Sequence, residues 1–174
     1  MSEKDAAPPE VMWEGKFVRA MRQGRWEYAS RARNIRAVVI LAEVDGKVLL
    51  VEQDRVPIGK RCIELPAGLV GDEDAHATVE ATAIKEMEEE TGYRPDNIEV
   101  LGEYYSSPGM VAESFTLVRA TGLTRVNDGG GNEDEEIVVH AVARADMPAF
   151  VERMRRDGKA IDVRLLLLLG PSIL

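Results

Sequence analysis

The sequence predicts an α/β sandwich built on a mixed β-sheet, with a small β segment added at the N-terminus. Three observations carry this reading. Runs rich in β-branched residues recur along the chain, two of them at hairpin spacing. Three further segments carry helical signals of cap, period or stop. These helices are few and irregularly interleaved with the strands, which suits a sandwich better than a regular βαβ repeat. With 174 residues, 45% of them hydrophobic and 30% charged, the chain can bury one sizeable core.

Taken in order, residues 1–10 are polar and carry Pro8 and Pro9, the composition of a loose tail. Residues 11–33 hold both tryptophans, Trp13 and Trp26, and read as short strands around a turn at "RQG". "RAVVILAEV" and "KVLLVEQ" flank Asp45-Gly46, a favoured tight-turn pair, and form the clearest hairpin. A helix is expected from about Ala75 to Thr91, with Gly92 as its stop. "RPDN" is a turn, and "IEVLGEYY", "SFTLVRATGL" and "EIVVHAVA" are three more strands. In "DMPAFVERMRRDG", Asp146 is expected to cap a helix, Pro148 fits its first turn and Gly158 ends it. Its Met147, Phe150, Val151 and Met154 recur at helical spacing. The leucine run at 165–170 reads as a buried C-terminal helix, far short of the roughly 20 residues that span a bilayer.

Charge narrows the function classes. A net charge of -9 and the lack of a long basic run argue against nucleic acid as partner. An acidic protein acting on a phosphorylated substrate needs a cation to screen the repulsion. One cysteine, Cys62, rules out an intrachain disulfide and favours a reducing compartment. "MSEKDAAPPE" lacks the apolar core of a signal peptide, so a cytoplasmic protein without membrane partners is expected.

The densest feature is "KEMEEETGY" at 85–93. Residues three and four apart share a helix face, so Glu86, Glu89 and Glu90 converge while Glu88 points away. Converging carboxylates repel unless a cation lies between them, and oxygen-only ligation suits Mg²⁺ or Mn²⁺. The alternative for such a run is a solvated acidic face.

"ELPAGLV" at 64–70 precedes this helix and "EETGY" closes it. Together they resemble the Nudix hydrolase family, whose motif runs from a glycine through a loop to a helix carrying Arg-Glu-aliphatic-x-Glu-Glu and then x-Gly-aliphatic. The resemblance implies a Nudix-type α/β/α sandwich and a metal-dependent diphosphate hydrolase. Gly68 is matched to the opening glycine. The family has 14 residues from that glycine to its arginine, whereas Gly68 to Lys85 is 17, so the loop is expected to be three residues longer. The family's first glutamate falls on Asp74 counting forward or Ala77 counting back, and Lys85 replaces the arginine. Asp72, Glu73, Asp74 and Glu80 are the residues available to compensate.

Over residues 13–170 the chain resembles the ADP-ribose pyrophosphatase branch. The resemblance implies hydrolysis of ADP-ribose to AMP and ribose 5-phosphate. Within the family the alternatives are another nucleoside diphosphate sugar such as GDP-mannose, or a degenerate module that binds ADP-ribose without cleaving it. By resemblance, Glu86, Glu89, Glu90 and the Ala67 carbonyl hold metal, and Glu89 also stands near the chemistry. "VEQDRVPIGKRCIELPAG" puts Arg55 at a phosphate-contacting position beside Gly68. "SSPGM" supplies the substrate-preference loop Pro108, Gly109 and Met110. "GGGNEDEEIVVHAV" resembles a flexible acidic loop, in which Gly129, Gly130 and Gly131 form a hinge and Glu133 or Glu135 is the general base or an added metal ligand. The branch takes its adenine clamp from the N-terminal segment across a homodimer, at Phe17 and Trp26. Residues 1–33 are therefore expected to serve dimerisation and base binding, and 34–174 to form the hydrolase domain.

Overall fold

Strand β4 (Arg36–Val44) runs through the centre of the main sheet. Its alternation is complete. Val38, Ile40 and Ala42 face one layer and Val39 faces the other, all fully buried. A strand apolar on both faces needs cover on both, and that requirement makes the sandwich. The computed structural model describes residues 7–33, 35–72, 74–132 and 135–173, with side chains described up to residue 170.

Asp45 and Gly46 take φ values of 50° and 74°, and β5 (Lys47–Arg55) returns antiparallel from the turn. Two positive φ values in a two-residue loop match the twist of the flanking strands. Next to β5 lie β6 (Lys60–Glu64) and β12 (Val138–Ala143), and β7 (Ala67–Val70) pairs with β4. On its far side β4 pairs parallel with β10 (Ser114–Thr121), which pairs antiparallel with β9 (Asn97–Tyr105). A two-residue strand, β13 (Ala160–Ile161), runs parallel to β6. The sheet is mixed, as expected.

One layer is helix α1 (Val79–Glu86) and the helical turn that continues it, whose Ala83 and Met87 pack on Ile40, Leu49 and Val118. The other layer is α2 (Met147–Arg156) and α3 (Leu166–Ile173). All four apolar residues expected on the inner face of α2 are buried there. Asp146 does not cap α2 with its side chain, because a 3-10 turn at Arg144–Asp146 precedes the helix and occupies that position. The leucine run is only half inside. Leu165 and Leu169 pack in the core, while Leu166 and Leu167 are exposed, because only one stripe of a surface helix can face the sheet.

The N-terminal segment forms its own antiparallel sheet of β1 (Glu10–Glu14), β2 (Val18–Gln23) and β3 (Trp26–Arg31). Two backbone bonds tie it to the rest: Ala29 N–H donates to the Met110 carbonyl (3.0 Å) and Ala112 N–H to the Ala29 carbonyl (2.9 Å). A last ribbon joins β8 (Tyr93–Arg94) and β11 (Thr124–Arg125). Among the described residues no helix is long and apolar enough to cross a membrane.

Candidate active site

Helix α1 starts four residues later than expected. The Thr78 hydroxyl accepts the Ala81 N–H (3.1 Å), and Asp74 instead accepts the His76 N–H (2.9 Å) in a turn before it. After Glu86 the helix widens into a π-turn at Met87–Thr91, a local expansion frequent at functional sites. Gly92, at φ 78°, ends it as expected. Buried Met87 pins this turn to the sheet and so sets the rotation of its neighbours. Glu86, Glu89 and Glu90 all line one cleft of about 840 Å³, while Glu88 turns away and pairs with Arg94 (2.7 Å).

Glu90 is the deepest of the three, at 5% exposure. Its carboxyl is pushed up to about 8, first by burial and then by the charges of Glu86 and Glu135; the Ala67 N–H (3.1 Å) and the Arg55 charge act the other way. A buried carboxylate crowded by two others is a place that a hard cation would stabilise. The donor set therefore fits a divalent metal. As they stand, no three of the described His, Cys, Asp and Glu side chains are grouped closely enough to hold one.

Strand β7 lies under this helix, and Gly68 is glycine for reasons of space. A Cβ there would overlap the Oε1, Cδ and Cγ atoms of Glu86. The residue that needs glycine's backbone is Gly71, at φ 89° in the turn after β7. Gly71 also stands 14 residues before Lys85, which is the motif's own spacing. The expected three-residue extension therefore disappears, and the position of the first motif glutamate falls on Ala77. Lys85 lies 3.8 Å from Glu89.

Arg55 is in the cleft. Its guanidinium grips Glu64 with two bonds of 2.7 Å each, and Arg164 approaches the same carboxylate at 3.4 Å. Glu64 is 2% exposed, so the paired charge is a fixed part of the wall. Arg164 is itself held by Asp162 with two bonds of 2.6 Å. Sequence reasoning missed Glu64, Asp162 and Arg164. For Glu64 a signal was present: Cys62 and Glu64 share one face of β6, and Gln53 and Arg55 share one face of β5. At the rim Arg31 pairs with Glu113 (2.6 Å), linking the N-terminal sheet to the cleft.

The glycine run is docked rather than free. Gly130 N–H donates to the Glu90 carbonyl and Gly131 N–H to the Glu89 carbonyl, each at 2.9 Å. These are the carbonyls that a helix end leaves unpaired. A Cβ at Gly129 would collide with the backbone of Thr91 and Gly92, so close approach, not hinging alone, demands glycine there. The dock carries Asn132 and Glu135 into the cleft. Glu133 lies outside the described residues, as does Glu73.

Five expected substrate contacts are not in the cleft of a single chain. Phe17 and Trp26 are exposed on the N-terminal sheet, 44% and 48% accessible. Pro108, Gly109 and Met110 form an exposed loop hydrogen-bonded to β3. Glu113, just beyond that loop, is the residue that reaches the cleft.

Comparison with known proteins agrees with this architecture. The family model described as the NUDIX domain matches residues 32–159. The ADP-ribose pyrophosphatase of Bacillus subtilis is 35% identical over 120 residues, covering 67% of this chain and 62% of that one. The GDP-mannose pyrophosphatase of Cronobacter sakazakii is 38% identical over 144 residues, covering 76% and 70%. The matched stretch spans 35% to 73% of the length of these and other relatives, in several of them under two thirds. A crystal structure of an ADP compounds hydrolase superposes with a TM-score of 0.69 over 95% of this chain and 91% of that one, at 21% identity, which speaks for the fold. With the family model covering most of the chain, and with a relative 38% identical over 76% of it, this protein belongs to the NUDIX domain family.

Proposed function

We propose that this protein hydrolyses the diphosphate bond of ADP-ribose, giving AMP and ribose 5-phosphate. The carrying observation is the convergence of Glu86, Glu89 and buried Glu90 in a cleft whose wall holds Arg55 and Arg164. At about 840 Å³ the cleft has room for a nucleoside diphosphate sugar. Nudix hydrolases generally depend on a divalent metal, and Mg²⁺ or Mn²⁺ is the proposed cofactor here, held by Glu86, Glu90, Glu89 and the Ala67 carbonyl. Bound there, such a cation supplies neutralisation of the diphosphate and acidification of an attacking water.

The chain's own groups divide the remaining work. Arg55, kept oriented by Glu64, offers its remaining N–H donors to phosphate oxygens. Water attacks one phosphorus, the bridging P–O bond breaks, and the other phosphate leaves. Glu135 faces the glutamates and accepts the proton of that water, with Glu133 as the other loop candidate. Phe17 and Trp26 are proposed to clamp adenine from a second copy. Val11, Met12, Trp13 and Trp26 leave a large apolar area exposed on the N-terminal sheet, which suits a homodimer contact.

GDP-mannose is the second reading, favoured by the likeness to the Cronobacter enzyme over 76% of the chain. Phosphate release, coupled to a phosphatase, from ADP-ribose, GDP-mannose and NADH with Mg²⁺ or Mn²⁺ ranks the substrates. No release from any of them, with ADP-ribose still bound in calorimetry, would favour a binding module instead.

A further inference from the structure

We propose that Arg61 is a positioning residue, which fixes the outgoing end of the Glu135 loop to a buried carboxylate on the opposite face of the sheet. This rests on the reading above that the loop belongs to the active site.

The incoming end of the loop is held at Gly130 and Gly131 by the end of the π-turn. The outgoing end has two ties: the Ile137 N–H donates to the Gly130 carbonyl (3.1 Å), and Arg61 holds the residue before it, on the side toward Glu135. The Arg61 guanidinium donates to Glu52 Oε1 (2.8 Å), to the Glu52 carbonyl (3.1 Å) and to the Glu136 carbonyl (3.0 Å). One planar fork therefore joins β6, β5 and the residue immediately after Glu135. The Glu136 side chain contributes little, being 4.0 Å away and mostly exposed. Its backbone carbonyl is what Arg61 holds.

The far side of the anchor is rigid for a stated reason. Glu52 is 7% exposed and is gripped from three directions. Besides Arg61 it meets Lys159 Nζ (2.6 Å), from the segment between α2 and β13, and His140 Nε2 (3.0 Å), on β12. His140 lies on the strand that the loop enters, so the same carboxylate holds the loop end and the third residue of that strand. A buried charge with three partners keeps its place when one is lost, whereas the Glu136 carbonyl has no comparable grip elsewhere among the described contacts. Arginine suits this place because separate nitrogens of one rigid plane serve the two partners, Nε the Glu52 carboxylate and Nη2 the Glu136 carbonyl, whereas a lysine gathers its three donors on one nitrogen with no fixed fork.

The test compares Arg61→Lys with Lys159→Met, which removes another cation from Glu52 without touching the loop. Arg61→Lys is expected to speed amide exchange across residues 130–137 and to lower kcat for ADP-ribose about tenfold to a hundredfold, the scale of a displaced catalytic group. KM should stay within about twofold, since a displaced base acts after binding. Lys159→Met should leave both the loop exchange and kcat at parent values. Unchanged exchange in Arg61→Lys overturns the anchor, as does equally fast exchange in Lys159→Met; faster exchange with unchanged kcat overturns the positioning role. The exchange readout judges the anchor even if Glu133→Gln and Glu135→Gln both leave hydrolysis intact, a result that would instead sink the catalytic reading of the loop.

Discussion

Adding one methyl group at Gly68 should separate stability from activity. Strand β7 places the Gly68 Cα directly beneath Glu86, and a Cβ there would sit inside the carboxylate, far within the 3.4 Å of ordinary contact. The obstructing atoms are the far end of a flexible side chain, so Glu86 can swing aside without moving the backbone. Gly68 has no left-handed φ that alanine would strain. Alanine also lowers the entropy of the unfolded chain, worth about 0.4 to 1 kcal/mol in its favour. These terms nearly offset, and the thermal midpoint of Gly68→Ala should lie within about 4 °C of the parent. The carboxylate, however, must shift by about 1 Å or more, and a misplacement of that size costs about a hundredfold in rate. Melting curves and ADP-ribose turnover across a Mg²⁺ titration measure both quantities. A folded Gly68→Ala protein with parental turnover would refute the assignment of Glu86 as a metal-holding group set by β7.

Glu86→Gln and Glu90→Gln should each lower turnover by orders of magnitude, while Glu88→Gln, whose parent carboxylate pairs with Arg94 away from the cleft, should be nearly silent. Equal losses at Glu86 and Glu88 in a steady-state assay would sink the helical-face argument. Trp26→Ala should raise KM for ADP-ribose about tenfold with kcat held within a few-fold, and removal of residues 1–33 should cost both dimer and activity. Light scattering with size exclusion checks this, and a fully active monomer would exclude a shared site. Acid should weaken the fold through Glu52. Burial raises its carboxyl, but hydrogen bonds from Lys159, His140 and Arg61 outweigh that and leave it at about 2. The folded value lies below the ordinary 4.5, so the stabilisation is complete above about pH 4.5 and is lost as pH falls toward 2. Urea midpoints measured from pH 5 down to 2.5 should fall less steeply in Glu52→Gln than in the parent, and parallel curves would count against the cluster.

The sequence by itself determined whatever depends on local period and turn chemistry. Asp45-Gly46 marks its hairpin because few other residue pairs tolerate two positive φ values. The inner face of α2 follows from helical spacing alone. The tertiary structure decided whatever depends on which backbones approach one another. Glu64 becomes the partner of Arg55 only because β5 and β6 pair in one register. Gly68 makes room for Glu86, and Gly71 carries the turn, because β7 passes beneath α1; spacing to Lys85 singles out Gly71, but only the packing shows why Gly68 is glycine too. The glycines at 129–131 read as a hinge until the helix end whose carbonyls they satisfy lies against them. Leu165 and Leu169 are buried while Leu166 and Leu167 are not, since hydrophobicity says only that a helix has a face to bury and the packing of α2 says which.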